Sequence, residues 1–238
     1  MVVQDGVPRR FLIIQKEGRM KPGKLFLPEK KYFAGKWGDG ELDLLSRLIY
    51  HPVYGLIYRH RYRMAYSLME KQDICLEIGC GYGWFLPALA KKVSRMHALD
   101  IHPHLSRVKG VLRNEGLGEI GLARGSILHL PYKDDAFSAV VCLSVLEHMN
   151  EVTRPLLEIK RVLKKNGRLI AGFPVKNRIT RALFKLIDRD DHAIHPQGHK
   201  ALIGNLKRYF LPKRKIVFPL NIPEDFALYF IGEFINEN

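Results

Sequence analysis

Short apolar runs alternate with amphipathic segments through the middle of the chain. The apolar runs predict strands at residues 74–78, 95–100, 120–124, 139–144 and 168–173. Segments with helical spacing of apolar residues predict helices at residues 84–92, 105–114 and 152–163. Because parallel strands need a crossover between them, the repeated strand and helix units favour an α/β fold with a doubly wound, mostly parallel sheet.

Both flanks of this alternating region carry weaker patterns. Downstream, a helix is expected at residues 199–210, and strands are expected at residues 215–218 and 226–234. Upstream, residues 1–40 mix basic residues with prolines and glycines and show no sustained period. This composition predicts a loosely structured arm or lid, with one short strand at residues 11–14.

Two helices are expected between the arm and the first strand of the sheet. They cover residues 41–50 and 52–70, because Pro52 breaks the helical spacing between them. The chain is long enough to bury one substantial core. We therefore expect an N-terminal arm and helical cover over residues 1–70, followed by one domain over residues 71–238.

The second of these helices has a tyrosine at every fourth position. Its apolar stripe is Val53, Ile57, Met64 and Leu68, and the tyrosine series is Tyr50, Tyr54, Tyr58, Tyr62 and Tyr66. One interpretation is a helix packed by its apolar stripe, with amphipathic tyrosines at the boundary. In the other, Tyr58 and Tyr62 line a substrate pocket beneath the helix, while Arg59 and Arg63 take an acidic group.

A glycine-rich turn follows the first apolar run. Gly79, Gly81 and Gly83 alternate there, so the backbone can adopt left-handed torsions and a flat ligand such as a nucleoside can lie against it. Trp84 stands where a dinucleotide-binding turn needs a small residue, which argues against NAD. Asp100 ends the next predicted strand at the same sheet edge, where its carboxylate can hold ribose hydroxyls.

The sequence around this turn resembles the first motif of class I S-adenosylmethionine-dependent methyltransferases, in which an apolar strand, an acidic residue (here Glu77) and Gly-x-Gly-x-Gly follow one another. The run 126–148 is similar to the small-molecule branch of that family, methyltransferase type 11, which carries a Leu-Pro-Phe-like segment, an Asp-x-Phe-Asp segment and Leu-Glu-His. Ser126 and Ser138 stand where the family usually has aspartate. The resemblance extends over about residues 73–234.

This resemblance implies a Rossmann-like sheet of seven strands with an antiparallel C-terminal hairpin, and S-adenosyl-L-methionine as cofactor. The residues expected to bind that cofactor are Glu77, Gly79, Cys80, Gly81, Gly83, Asp100, Ile101, Ser126, Ile127, Leu143 and Ser144. Methyl transfer by in-line displacement mainly needs alignment and exclusion of water. If the acceptor must lose a proton, His148 is the candidate base; the alternative is a histidine that caps or packs there.

Histidines also cluster beyond the fifth predicted strand. His192, His195 and His199 lie near Asp190 and Asp191, with spacing too loose for a typical metal site. We interpret the cluster as a polar loop near the substrate mouth, with His192 and His195 as candidate substrate contacts. No metal site is expected.

Composition and charge indicate which partners, thiol state and cellular location to expect for the protein. Its formal charge of +15 favours an acidic partner or surface, which could be nucleic acid, anionic lipid or a phosphorylated metabolite, although a basic proteome would explain it too. Cys75, Cys80 and Cys142 are expected to be reduced, buried thiols. No apolar run approaches about 20 residues, and residues 1–10 lack the apolar core of a signal peptide, so a cytoplasmic protein is expected. Peripheral contact with a membrane remains an open alternative.

Three functional hypotheses follow. The first is a methyltransferase for a small-molecule or lipid-like acceptor, and the second, suggested by charge, is a methyltransferase for RNA or protein. Against the second, residues 144–147 lack the Asn-Pro-Pro-Tyr-like element of base-amine methyltransferases, and residues 173–175 lack the thiol of cytosine-carbon methylation. The third is a non-catalytic cofactor-binding module of the same fold.

Overall fold

The computed structural model describes residues 12–13, 27–33, 35, 37–38, 40–52, 54–186, 196–219 and 222–237. Its centre is one eight-stranded sheet with the order β1-β7-β8-β6-β5-β2-β3-β4. The strands are β1 (Leu12–Ile13), β2 (Gln72–Ile78), β3 (Val93–Asp100), β4 (Gly121–Arg124), β5 (Phe137–Leu143), β6 (Leu163–Pro174), β7 (Leu211–Phe218) and β8 (Tyr229–Ile235).

Helices cover the sheet and connect its strands. The α-helices are α1 (Gly40–Tyr50), α2 (Tyr54–Leu68), α3 (Leu86–Leu89), α4 (Leu105–Asn114), α5 (Thr153–Val162), α6 (Arg178–Leu186) and α7 (His199–Tyr209). Short 3-10 helices lie at Lys30–Phe33, Leu146–His148 and Glu224–Phe226. Within the described residues, no helix combines the length and the apolar character needed to cross a bilayer.

The strand directions confirm the predicted fold class. Strand β8 runs antiparallel to both of its neighbours, β6 and β7, and every other pairing in the sheet is parallel. Strands β2 to β8 are the seven strands that the resemblance implies, and β1, which lies within the short strand expected at residues 11–14, adds an eighth beside β7. The antiparallel β7–β8 pair matches the expected hairpin, but β8 is inserted inside the sheet between β6 and β7.

Two apolar clusters fill the two faces of the sheet. On one face, Cys75 of β2 packs with Met64 and Leu68 of α2. On the other, Leu76 packs with Leu156 of α5 and with residues of α7. Because both faces are covered, the parallel strands are almost continuously apolar instead of alternating. Cys75, Cys80 and Cys142 are buried and free, as expected.

Some predicted boundaries were wrong. The helix expected at residues 84–92 is only the four-residue α3, and β6 begins at Leu163 instead of residue 168. No glycine ends α5. Instead, the side-chain amide of Asn236 donates hydrogen bonds to the carbonyl oxygens of Lys160, Leu163 and Lys164, which lie at the end of α5 and the start of β6. A residue beyond β8 therefore satisfies backbone groups that the helix leaves unpaired.

Candidate active site

The glycine turn lies at the carboxyl ends of the parallel strands. Gly79, Gly81 and Gly83 have φ angles of +77°, +53° and +80°, in the left-handed region that side chains disfavour. A Cβ atom on Gly81 would lie 3.0 Å from the Trp84 ring, which itself lines the cavity described below. A Cβ atom on Gly83 would instead lie 2.9 Å from Val108 of α4, so Gly83 allows that helix to pack closely.

Asp100 fixes the shape of this turn. Its Oδ2 accepts a hydrogen bond from Gly81 N at 2.7 Å, and its Oδ1 accepts from Ile101 N at 2.7 Å and His102 N at 3.2 Å. A carboxylate has about four lone-pair positions. Asp100 therefore has one acceptor position left, on Oδ2, for a ligand hydroxyl.

The buried side chain of His102 supports the same turn, and sequence reasoning did not identify it. Its Nδ1 accepts a hydrogen bond from His104 N at 3.0 Å, so its Nε2 carries the proton and donates to Gly81 O at 2.7 Å. Both backbone polar groups of Gly81 are thereby held by side chains, its N–H by Asp100 and its carbonyl by His102.

A cavity of about 620 Å³ opens above these strand ends. This volume is typical of small-molecule and cofactor sites. Its floor comes from the ends of β2, β3 and β5 and from the loop after β4, and its roof comes from α1 and α2. Leu42, Leu45 and Leu48 of α1 face it, as do Tyr54, Tyr58, Arg61, Tyr62 and Met64 of α2. The N-terminal helices are therefore a cover over the strand ends.

Most residues singled out from the sequence meet at this cavity. Those that line it are Glu77, Gly79, Cys80, Gly81, Asp100, Ile101, Ser126, Ile127, Leu143, Ser144, Tyr58, Tyr62 and His148. Gly83 and Arg63 do not line it. His192 and His195 lie outside the described residues. His199 is buried at the start of α7, where its Nε2 lies 3.1 Å from Asp225 Oδ1.

The two serines that replace family aspartates have different surroundings. The Ser126 hydroxyl accepts a hydrogen bond from Leu128 N at 3.2 Å and keeps its own turn in shape beside the cavity. The Ser138 hydroxyl accepts from Ile74 N at 3.2 Å and donates to Ile74 O at 2.9 Å. Ser138 therefore joins β5 to β2 just before the backbone pairing of these two strands begins, at Cys75 and Ala139.

Arg61 is another cavity residue that the sequence did not single out. Its Nη1 donates to Ser144 Oγ at 3.1 Å, and its Nη2 donates to Tyr62 OH at 3.1 Å. The Ser144 hydroxyl lies 2.8 Å from Tyr229 OH. Ser144 itself has a φ of +56°, a strained conformation for a residue with a side chain, which is common at functional sites.

Two buried carboxyl groups face the cavity. Glu77 is 4% exposed and Glu147 is 2% exposed. Burial, and then the charge of Asp100, raise the pKa of Glu77 well above its usual range, while Arg61 lowers it. Burial raises the pKa of Glu147 to about 7, against the opposing charges of His148 and Arg61. Within the described residues, no cluster of three or more histidine, cysteine, aspartate or glutamate side chains could hold a metal ion.

Comparisons with known proteins agree with this geometry. The family described as "Methyltransferase domain" matches residues 76–171. An uncharacterized protein of Methanocaldococcus jannaschii is 34% identical over 145 residues, 60% of this chain and 60% of that protein. A demethylmenaquinone methyltransferase of Lactobacillus johnsonii is 31% identical over 142 residues, 58% of this chain and 57% of that protein.

Solved structures show the same fold. The N-methyltransferase NodS from Bradyrhizobium japonicum, in complex with S-adenosyl-L-homocysteine, has a TM-score of 0.62 at 19% identity; the match covers 88% of this chain and 96% of that one. Residues 76–171 therefore match a methyltransferase domain, and the fold is that of the class I S-adenosylmethionine-dependent methyltransferases. The chain spans no more than 60% of the length of the two curated relatives above.

The methyltransferase cavity fits the cofactor of this family, S-adenosyl-L-methionine. Among the described residues, the buried Oε2 of Glu77 has no hydrogen-bond partner, and neither does Trp84 Nε1. A buried polar atom without a partner is costly, so both atoms favour a ligand that supplies the missing partners. The cofactor's ammonium group would supply such a donor for Glu77.

Replacing Asp100 by alanine will weaken binding of S-adenosyl-L-homocysteine by about 2 kcal/mol, as expected when a hydrogen bond to a charged group is lost. Asparagine will not restore affinity, because either orientation of its amide places a donor against a backbone N–H, that of Gly81 or those of Ile101 and His102. Calorimetry measures both losses. The control is Asp73→Ala, which removes an exposed carboxylate at the opposite end of the sheet. Full affinity in the Asp100→Ala protein would mean that another residue holds the ribose.

Proposed function

We propose that the protein transfers a methyl group from S-adenosyl-L-methionine to a small-molecule or lipid-like acceptor by in-line displacement. The observation that carries this proposal is that one continuous cavity contains both parts of the site. It reaches from the glycine turn at the strand ends to the aromatic and aliphatic side chains of α1 and α2. Donor and acceptor can therefore bind next to each other in one cavity, from which α1 and α2 exclude water.

The two ends of the cavity differ in chemistry. We call the part around Glu77, Gly79, Gly81 and Asp100 the cofactor side. We call the part around Tyr58, Arg61, Tyr62, Ser144 and Tyr229 the acceptor side. The acceptor side also includes Phe218 and Leu228, so it suits a flat or aliphatic acceptor with a few polar groups. The relatives named demethylmenaquinone methyltransferase support such an acceptor class.

The roof over the cofactor side is tied to the glycine turn. Asp43 of α1 accepts hydrogen bonds from Trp37 N at 2.9 Å and from the Tyr82 hydroxyl at 3.1 Å. The rings of Trp37 and Tyr82 lie 4.2 Å apart. Helices α1 and α2, with the described residues just before them, would thus act as a cover that shapes the pocket of the domain over residues 71–238.

In this mechanism the protein binds, orients and excludes water, and the bound cofactor supplies an electrophilic methyl carbon. Glu77 would hold the cofactor's positive charge and Asp100 one ribose hydroxyl. The α1–α2 cover would align the acceptor for attack, which is where most of the rate enhancement of such a displacement can arise. His148 lines the cavity and stays a candidate base, but its side chain is exposed to solvent.

The test is a methyl-transfer assay with radiolabelled S-adenosyl-L-methionine and fractionated cell extract. Label in the small-molecule or lipid fraction supports the proposal. Label in the nucleic-acid or protein fraction would support the alternative that the charge of +15 suggests. Donor binding with no labelled product in any fraction would indicate a non-catalytic binding module.

Replacing Arg61 by lysine will lower kcat/KM for the acceptor about 10- to 100-fold and leave the affinity for S-adenosyl-L-homocysteine within threefold. A lysine cannot donate to Ser144 and Tyr62 together in the fixed geometry of a guanidinium group. Arg63→Lys provides the comparison, because Arg63 is the arginine that the sequence suggested. Loss of activity in Arg63→Lys alone would reverse this assignment.

A further inference from the structure

Glu147 lies on the acceptor side of the cavity and has no part in the mechanism above. It belongs to the 3-10 helix after β5, lines the cavity and is 2% exposed. Neither of its carboxylate oxygens has a hydrogen-bond partner of good geometry among the described residues. An ionised carboxylate in this position is unfavourable unless a ligand donates to it. The arrangement favours a ligand that brings a proton donor.

The groups around Glu147 come from several elements. Arg61 of α2 and the adjacent His148 lie close enough for their charges to lower the pKa of Glu147, and the Ser144 hydroxyl acts in the same direction. In turn, the charge of Glu147 raises the pKa values of Tyr229 on β8 and Cys142 on β5. A proton acceptor therefore lies beside a fixed guanidinium that is itself hydrogen-bonded to Ser144 and Tyr62.

Resting on the function proposed above, we propose that Glu147 is the base that removes the proton from an acidic hydroxyl of the acceptor, such as a phenol, a hydroquinone or an enol. Arg61 then stabilises the oxyanion that forms. A protonated amine fits this site less well, because its positive charge would lie near Arg61 before the reaction and nothing anionic would form for Arg61 to stabilise.

This reaction needs no reagent besides Glu147, the methyl donor and the acceptor. Glu147 takes the hydroxyl proton, and the electron pair of the O–H bond stays on the acceptor oxygen. That oxygen forms the bond to the methyl carbon while the carbon–sulfur bond breaks and its electron pair moves to sulfur. The positive charge of the sulfonium is cancelled, and Glu147 afterwards returns its proton to solvent.

The ionisation of Glu147 suits this role. A base works best when its pKa is near the working pH, and burial raises the pKa of Glu147 to about 7. A glutamate in water would be a weaker base by several pH units.

The first experiment uses the acceptor found in the extract assay. Glu147→Gln keeps the shape of the side chain and removes the base, so we expect kcat to fall about 100-fold while donor affinity changes less than twofold. The wild-type kcat will rise with pH through about pH 7 and then level off, whereas the residual rate of Glu147→Gln will lack this rise. Glu119→Gln, an exposed glutamate before β4, is the matched control. Wild-type kcat in Glu147→Gln would overturn the proposal.

A second experiment does not depend on turnover. The full-length protein saturated with S-adenosyl-L-homocysteine is titrated with 1-naphthol or with 1-naphthylmethylamine, which is cationic at neutral pH. We expect 1-naphthol to bind and its affinity to fall about tenfold in Glu147→Gln. Tighter binding of the amine, or no binding of 1-naphthol, would overturn the assignment. If 1-naphthol binds as expected but no acceptor in the extract is methylated, the proposed function fails and the Glu147 site stands.

Discussion

Replacing Gly81 by valine will abolish measurable binding of S-adenosyl-L-methionine and leave a folded protein. The φ angle of Gly81 is +53°, and a Cβ atom there would lie 3.0 Å from Trp84 and 3.4 Å from Leu42. Both neighbours line the cavity, so a branched side chain would drive them into the space that the cofactor needs. We expect affinity to fall more than 100-fold by calorimetry.

A second glycine separates this steric effect from backbone strain. Gly116 also has a positive φ, +74°, but a Cβ atom there would meet nothing within 4 Å. Gly116→Val should therefore lose about 1–2 kcal/mol of unfolding free energy from backbone strain alone and keep normal affinity. Near-normal binding by Gly81→Val, with unfolding confirming that it is folded, would refute the position of the cofactor.

Replacing Glu77 by glutamine will weaken S-adenosyl-L-methionine binding by about 2–3 kcal/mol, roughly 30- to 150-fold. Burial and the charge of Asp100 raise the pKa of Glu77, so this carboxyl tends to hold a proton when no cation is bound. A bound cation favours the ionised form and lowers that pKa. Binding therefore releases a proton, and affinity rises with pH until Glu77 is ionised in the free protein.

Calorimetry in two buffers with different ionisation enthalpies measures the released proton directly. The wild type should release it and Glu77→Gln should not, while Glu119→Gln should behave as wild type. S-adenosyl-L-homocysteine keeps the ammonium but lacks the sulfonium charge. Equal losses of affinity for both ligands would place the ammonium at Glu77, and a larger loss for S-adenosyl-L-methionine would place the sulfonium there. Unchanged affinity and unchanged proton release would remove Glu77 from the cofactor side.

The sequence predicted the positions of the residues around the glycine turn better than those of the residues beneath α2, because the former follow from the order of neighbouring strands. The turn at residues 79–83 follows a strand directly, and Asp100 ends the next one, so parallel pairing alone brings them together. Helix α4 has the predicted bounds, since its apolar spacing covers the whole segment. Gly83 is the exception: its neighbour Val108 lies on α4, and only the folded chain shows that the glycine serves packing.

The acceptor side depends on how one helix is rotated about its axis. Periodicity gives the angles between residues on α2, but it does not say which side of the helix faces the sheet. Arg61 follows Tyr58 by three positions and therefore shares a face with it, whereas Arg63 lies about 140° away. If Tyr58 and Tyr62 line the pocket, the three-residue spacing between Tyr58 and Arg61 indicates that Arg61 lines it too. Arg59 in fact donates to Ile49 O at 2.6 Å and joins α2 to α1.

Contacts between segments that lie far apart in the chain could not be predicted from the sequence. The amide of Asn236 satisfies carbonyl groups about 70 positions earlier in the chain, and Tyr229 reaches Ser144 across 85 positions. Neither residue belongs to a motif. Both depend on the insertion of β8 between β6 and β7, which apolar patterning does not specify.

Because of that insertion, the sheet cannot be completed until β8 has been synthesised. Strands β2 to β6, which pair with one another, precede β7 and β8 in the chain. Strand β7 joins β6 only through β8, which follows every other strand of the described chain. Tyr229, the partner of Ser144, is the first residue of β8. The glycine turn and Asp100 are therefore synthesised well before Tyr229, the residue from β8 that completes the hydrogen bonds around Ser144.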